Sequence, residues 1–191
     1  MLVRIGQPVD HGFDAPLGLL SDCHRRIERF LSTLLTIADR YRGAALAPAD
    51  RAVLTSALDY FRTAAPRHSD DEEQSLFPRL RSSRDPKAGT ALEILERLEA
   101  EHRVAEDHQD AVEVLGRRWL RENSLPAGDA RSLREHLIAL DRLYQRHIAV
   151  EDQELFPAAG RVLSPAELEE VGREMAHRRN VPFSPPPGID R

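Results

Sequence analysis

The sequence predicts an all-α protein: an up-down-up-down four-helix bundle followed by a short fifth helix at the C-terminus. Three observations predict it. Four long segments each carry apolar residues at the 3.6-residue helical period. The linkers between them are short, as antiparallel neighbours in a bundle require. Leu, Ala, Arg and Glu abound while aromatic residues make up only 5% of the chain, which is helix-forming material.

The first segment runs from about Pro16 to Arg42 and aligns Leu20, His24, Ile27, Leu31, Leu34 and Ala38. The second runs from about Ala49 to Arg81, with Leu54, Leu58, Phe61, Ala65, His68 and Glu72 on one face. Pro48 suits its first turn. Pro66 should kink it, because proline removes a backbone donor just before His68. The third segment, about Pro86 to Leu120, aligns Leu95, Leu98, His102, Ala105, Gln109, Val112 and Trp119. The fourth, about Asp129 to Phe156, aligns Leu133, Leu137, Leu140, Tyr144, His147 and Glu151. Ser164-Pro165-Ala166-Glu167 is a capping box that opens the fifth helix, which runs to about Arg178. Residues 1–15 are then an N-terminal extension, 16–160 the bundle, and 161–180 the short C-terminal helix. Residues 181–191, with Pro182, Pro185, Pro186 and Pro187, form a Pro-rich tail expected to be disordered.

A chain of 191 residues fits one domain with a substantial core. No apolar run approaches the ~20 residues needed to cross a bilayer, so no membrane partner is expected. Met1 to Asp14 lacks the basic region and apolar stretch of a signal peptide, and the expected location is cytoplasmic. Cys23 is the single cysteine, which excludes an intrachain disulfide and any Cys-rich zinc or iron–sulfur site. The net charge of -5 is spread among both signs and argues against nucleic acid as a partner.

The chain also repeats itself. His68 to Glu72, followed by Leu76-Phe77-Pro78, recurs as His147 to Glu151, followed by Leu155-Phe156-Pro157, at an offset of 79 residues. His24-Arg25 recurs as His102-Arg103 at an offset of 78. Two copies of a helical hairpin, related by an approximate twofold axis, account for this.

Each of the four helices places one histidine in its apolar stripe. From His24 to the end of its helix, and from the start of the next helix to His68, the legs are both about 18 residues, or about 27 Å. The next two connections balance in the same way, so all four imidazoles fall in one layer. Glu72 and Glu151 follow His68 and His147 by four residues, which stacks each pair on one helix face. Buried carboxylates are costly unless paired or bound to metal. Two divalent cations would satisfy all six groups, whereas the competing reading is a core of salt-bridged histidines. A mixed His and carboxylate set without thiolate suits iron or manganese and can also take zinc. Bundle cores host such centres.

His24, His68-x3-Glu72, His102 and His147-x3-Glu151, with the stretch Glu72-Glu73-Gln74-Ser75-Leu76-Phe77-Pro78, resemble the hemerythrin-like (HHE cation-binding) family over about Pro16 to Pro157. The resemblance implies a four-helix bundle around a non-heme di-iron centre. It further implies that Glu72 and Glu151 bridge two iron ions, that the histidines are terminal ligands, and that an oxo or hydroxo group completes the bridge. Oxygen-carrying hemerythrins have a further histidine one turn after the third-helix histidine, where this chain has Glu106. They end in His-x4-Asp, where this chain has His147-x3-Glu151. The pattern is instead similar to a bacterial H-HxxxE-H-HxxxE subgroup associated with peroxide or oxygen chemistry and with iron or redox sensing. Fewer protein ligands than in the carriers favour reaction over reversible carriage.

Other ionisable and aromatic residues flank this layer. Glu106 follows His102 by four and is a candidate further ligand. Glu28, its repeat partner, is a weaker one, and both can instead be flanking charges paired with Arg25 or Arg103. Glu73, Asp152 and Glu154 adjoin the motifs and should point away from the seam, either solvated or accepting an N–H from a ligand histidine. His108 should lie on the surface, and His136, about 16 Å from His147, near the bundle end. His11 and His177 should be exposed. Cys23 reads as a small buried packing residue in preference to a redox thiol. Tyr144 either hydrogen-bonds an oxygen species at the metals or fills space. Tyr60, Phe61, Phe77, Phe156 and Trp119 read as core.

The leading functional reading is a non-heme di-iron protein that binds or reacts with dioxygen or hydrogen peroxide, with catalase-like peroxide turnover as the enzymatic form. The alternative is an iron- or oxygen-sensing regulatory module in which the fifth helix and tail move. An iron donor for iron–sulfur cluster repair ranks below both, since the chain lacks the Cys-bearing N-terminal region of such relatives. No protein partner is indicated by the sequence.

Overall fold

The computed structural model describes residues 11–85 and 88–183, and its elements are helical throughout. Helix α1 spans Pro16–Tyr41, α2 Pro48–Thr63, α3 Ala65–Asp71 and α4 Phe77–Ser82. Helix α5 spans Gly89–Glu122, α6 Ala127–Val150, α7 Phe156–Val162 and α8 Pro165–Arg178. Two π turns, Glu72–Leu76 and Glu151–Leu155, join α3 to α4 and α6 to α7. Residues 1–10 of the expected N-terminal extension, Pro86 at the expected start of the third helix, and residues 184–191 of the tail lie outside the described residues.

The amphipathic stripes account for the packing. Helix α1 packs against α2 and α6, and α5 packs against the same two, closing a ring of four. At the end of α1 the chain turns through left-handed Arg42 and Gly43, with φ of 48° and 86°. Gly43 is required there, because a Cβ would sit 2.7 Å from the Leu125 carbonyl oxygen. The Leu125 N–H donates to the Gly43 carbonyl at 2.8 Å, stitching the α1–α2 loop to the α5–α6 loop. The capping box forms as expected. Ser164 Oγ accepts from the Glu167 N–H, and the Glu167 carboxylate accepts from the Ser164 N–H at 2.8 Å.

The second segment departs from the expected single kinked rod. It breaks at Ala64, just before Pro66, and restarts with Pro66 in the first turn of α3 where its missing donor costs nothing. It then widens into the first π turn, where the Phe77 N–H bonds the Glu72 carbonyl five residues back. The fourth segment does the same, from the Phe156 N–H to the Glu151 carbonyl, and continues past Phe156 as α7. Each π turn is followed by a proline, Pro78 or Pro157, whose ring would clash with the carbonyl four residues back in a regular helix. The extra residue in the turn also lets two successive large side chains pack inward. Leu76, Phe77 and Leu155 are fully buried, and Phe156 nearly so.

Among the described residues the core falls into two apolar clusters. One holds Ile27, Leu58, Trp119 and Leu137, and the other Leu20, Phe77, Leu98, Phe156 and Val171. In every helix of the ring the switch between clusters occurs at the buried histidine or its glutamate. A polar layer therefore crosses the bundle, with oil above and below it. Helix α8 packs on α1, α3 and the first π turn, covering one end of the bundle beside this layer.

Candidate metal centre

The polar layer contains His24, His68, His102, His147, Glu72 and Glu151, all buried. Their ligand atoms sort into two sets of four. His24, His68, Glu72 and Glu151 form one, and Glu72, His102, His147 and Glu151 form the other, each with all atoms within 4.8 Å of one another. Both glutamates belong to both sets, and each divides its two oxygens between them. Glu72 Oε1 lies 3.4 Å from His68 Nε2 and 4.0 Å from His24 Nε2, while its Oε2 lies 3.3 Å from His102 Nε2. Glu151 Oε2 lies 3.1 Å from His24 Nε2, and its Oε1 lies 3.1 Å from His147 Nε2. His102 Nε2 and His147 Nε2 face each other at 3.0 Å.

The contacts of the two glutamates are close but poorly aimed for hydrogen bonding. All four oxygens of Glu72 and Glu151, and His24 Nε2, are buried without a hydrogen-bond partner. An orphaned buried carboxylate is costly, and here two of them sit side by side. Lone pairs converging on common points are what cations require, so the residues fit a pair of metal ions.

The charges show the same tension. Burial, reinforced by the nearby charge of Glu151, pushes the Glu72 carboxyl up to about 7. Burial also works against the charged form of Glu151, but His147 and His24 hold its carboxyl well below the usual range. Burial opposes protonation of His24 and His102. Asp152 and Glu151 nevertheless carry His24 up to about 10, and Glu72 and Glu73 do the same for His102. His68 is driven well below its ordinary value, by burial first and then by the other imidazoles.

The hemerythrin HHE cation-binding domain model matches residues 15–159, the span that supplies all six of these side chains. The chain belongs to the hemerythrin HHE cation-binding family. It is similar to a Haemophilus influenzae protein described only as an uncharacterized protein, being 30% identical over 170 residues that cover 88% of this chain and 92% of that one. The paired His/Glu sets agree with the H-HxxxE pattern, and the protein is a metal-binding hemerythrin-like protein with an all-α bundle. No helix among the described residues is long and apolar enough to cross a membrane.

Around the hemerythrin-like layer, carboxylates fix the outward nitrogens of three histidines. His24 Nδ1 lies 3.0 Å from Asp152, whose carboxylate also accepts from Ser21 Oγ at 2.7 Å. His102 Nδ1 lies 2.7 Å from Glu73, and His147 Nδ1 lies 2.9 Å from Glu101. Such partners orient the ring and raise its donor strength. Glu73 and Asp152 thus take the N–H-accepting role. Glu154 is exposed. Glu101 went unnoticed in the sequence, although it precedes His102 and can reach across to the neighbouring helix.

Glu106, the candidate further ligand, lies outside the layer. It is exposed, belongs to neither ligand set, and lines a cavity of about 170 Å³ beside His102. Unlike Glu72 and Glu151, which open π turns, Glu106 lies within uninterrupted α5, where Ala105 takes the inward position. Glu28 is likewise exposed. Tyr144 is buried, lines the same cavity and accepts a hydrogen bond from Gln109. His108 and His136 are half-buried and pair with each other through Nδ1 at 2.9 Å, instead of lying apart at the surface and the bundle end. His11 is half-exposed against Asp22, and His177 is exposed. Cys23 is a buried free thiol. Phe77 and Phe156 stack on His102 and His24, so they wall the layer itself.

Proposed function

We propose that this hemerythrin-like protein holds two iron ions and uses them to bind or react with dioxygen or hydrogen peroxide. One ion would sit on His24 and His68, the other on His102 and His147, with Glu72 and Glu151 bridging. The observation that carries the reading is the sharing of both carboxylates between the two ligand sets. Bound iron supplies Lewis acidity and redox change. The chain supplies the rest. Only four protein donors serve each position, which leaves room for a small oxygen species. The cavity beside His102 gives such a molecule a path inward, past Gln109 and the Tyr144 hydroxyl, which can hydrogen-bond it. Phe77 and Phe156 shield the imidazoles from bulk water.

The test is peroxide disproportionation by iron-loaded protein, alongside optical spectra on exposure of the reduced form to oxygen. Turnover well above that of free iron and new charge-transfer bands are expected. Activity no better than free iron, with no such bands, contradicts the proposal.

One observation favours a sensing role for the same centre. Asp71, adjacent to Glu72 and fully buried, is bonded by Arg178 at 2.8 Å and Arg179 at 2.6 Å from the end of α8. A shift of the Glu72 turn would pull directly on these two arginines. Hydrogen exchange across residues 165–178 should then differ between metal-free, reduced and oxidised protein. Identical exchange in all three removes this reading.

A further inference from the structure

The internal repeat relates His24 to His102, His68 to His147, and Glu72 to Glu151. The structure carries that relation into side-chain contacts. Asp152 holds His24 Nδ1 at 3.0 Å, and its repeat mate Glu73 holds His102 Nδ1 at 2.7 Å. Phe156 stacks on His24 with ring centroids 5.4 Å apart, and its mate Phe77 stacks on His102 at 6.4 Å. The two imidazole pairs are spaced alike, with centroids 4.8 Å apart for His24 and His68 and 4.7 Å for His102 and His147.

The contact to the outward nitrogen of the fourth imidazole has no mate. His147 Nδ1 is held by Glu101 at 2.9 Å, whereas His68 Nδ1 is buried with no hydrogen-bond partner. The residue at the repeat position of Glu101 is Cys23. Its thiol accepts from Arg26 at 3.6 Å and brings no carboxylate to the layer. Among the contacts to the outward imidazole nitrogens, the twofold pattern is therefore broken at this position.

A carboxylate on the outward nitrogen fixes a ligating imidazole in tautomer and orientation and makes it a stronger donor; losing one costs about 10–100-fold in metal affinity. We infer that the two metal positions are inequivalent: the ion on His102 and His147 is tightly held, the ion on His24 and His68 is labile, and Glu101 is the positioning residue that sets the difference. This rests on the two-ion reading above but not on dioxygen or peroxide as the substrate. At limiting metal the chain fills the His102–His147 position first, and a chelator empties the His24–His68 position first.

The experiment is chelator challenge of the purified two-ion protein, followed by metal content and by Mössbauer spectra of the partly depleted sample. Two phases of equal amplitude are expected, with affinities separated by roughly 10–100-fold, and one iron environment should remain between them. Glu101→Ala should merge the phases by weakening the tight ion and should alter the spectrum of the ion that remains. Glu101→Gln, which keeps an acceptor, should retain part of the gap, and Cys23→Ser should leave it whole. Release of both ions in one phase from the unsubstituted protein, or an undiminished gap in Glu101→Ala, overturns the inference. A protein that never holds a second ion overturns the two-ion reading and this inference with it, a result distinct from two ions lost together.

Discussion

Replacing Glu72 with glutamine should move the stability of the metal-free and metal-loaded proteins in opposite directions. In the metal-free protein the Glu72 carboxyl is raised from 4.5 to about 7, chiefly by burial and then by the charge of Glu151. A group raised on folding stabilises fully below its unfolded value and loses that contribution as pH climbs through its folded value. Above about pH 7 the ionised side chain therefore costs the metal-free fold about 3 kcal/mol relative to its protonated form. Glutamine is neutral at every pH and nearly isosteric. Metal-free Glu72→Gln should be more stable than the unsubstituted protein at pH 8.5 by up to about 3 kcal/mol, and little different near pH 5. The loaded protein should behave oppositely. Glu72 offers one oxygen to each ligand set, and an amide surrenders one of them. Urea unfolding at both pH values, with metal analysis of each sample, provides the assay. A metal-free variant less stable than its parent at pH 8.5, or a variant that keeps two ions, would refute the reasoning.

Three further outcomes follow from the same geometry. His68→Ala should lose at least one metal ion per chain while His108→Ala, remote from both ligand sets, keeps the full complement; metal analysis of the two purified variants decides. Protons compete with metal for the imidazoles, and His24 and His102 hold theirs up to about 10, against burial, through neighbouring carboxylates. Apparent metal affinity should accordingly rise between about pH 6 and pH 9, roughly tenfold per pH unit for each proton displaced, and pH-independent affinity in a competition titration would contradict this. Asp71→Ala leaves Arg178 and Arg179 facing each other without their anion. Because both arginines are partly exposed, the cost should fall near the lower end for a broken buried pair, about 3 kcal/mol, read by chemical denaturation. Faster hydrogen exchange in α8 should accompany it.

The layer was legible in the sequence because two simple regularities act together. The helical period places His24, His68, His102 and His147 on inward stripes, and equal leg lengths bring them to one height. Glu72 and Glu151 were legible because an i,i+4 carboxylate shares its histidine's face. Glu106 satisfies the same spacing and faces outward, which shows where the rule stops. The two inward glutamates begin π turns, and a π turn depends on how Phe77, Phe156 and the prolines after them pack, not on local period. The recurrence of Leu-Phe-Pro at a fixed distance from each glutamate was the available signal. Glu101 was hidden for another reason. Its partner is on the neighbouring helix, and pairing across helices depends on their rotation about their own axes. The same applies to His108 and His136, whose stripe angles suggested separation and whose helices bring them together.

The most direct measurement is a crystal structure of the natively expressed protein, with anomalous scattering collected at the metal absorption edges. Two peaks inside the bundle, one coordinated by His24 and His68 and one by His102 and His147, with Glu72 and Glu151 spanning both, are predicted. A single peak, peaks elsewhere on the chain, or imidazoles and carboxylates bonded only to one another would contradict the account.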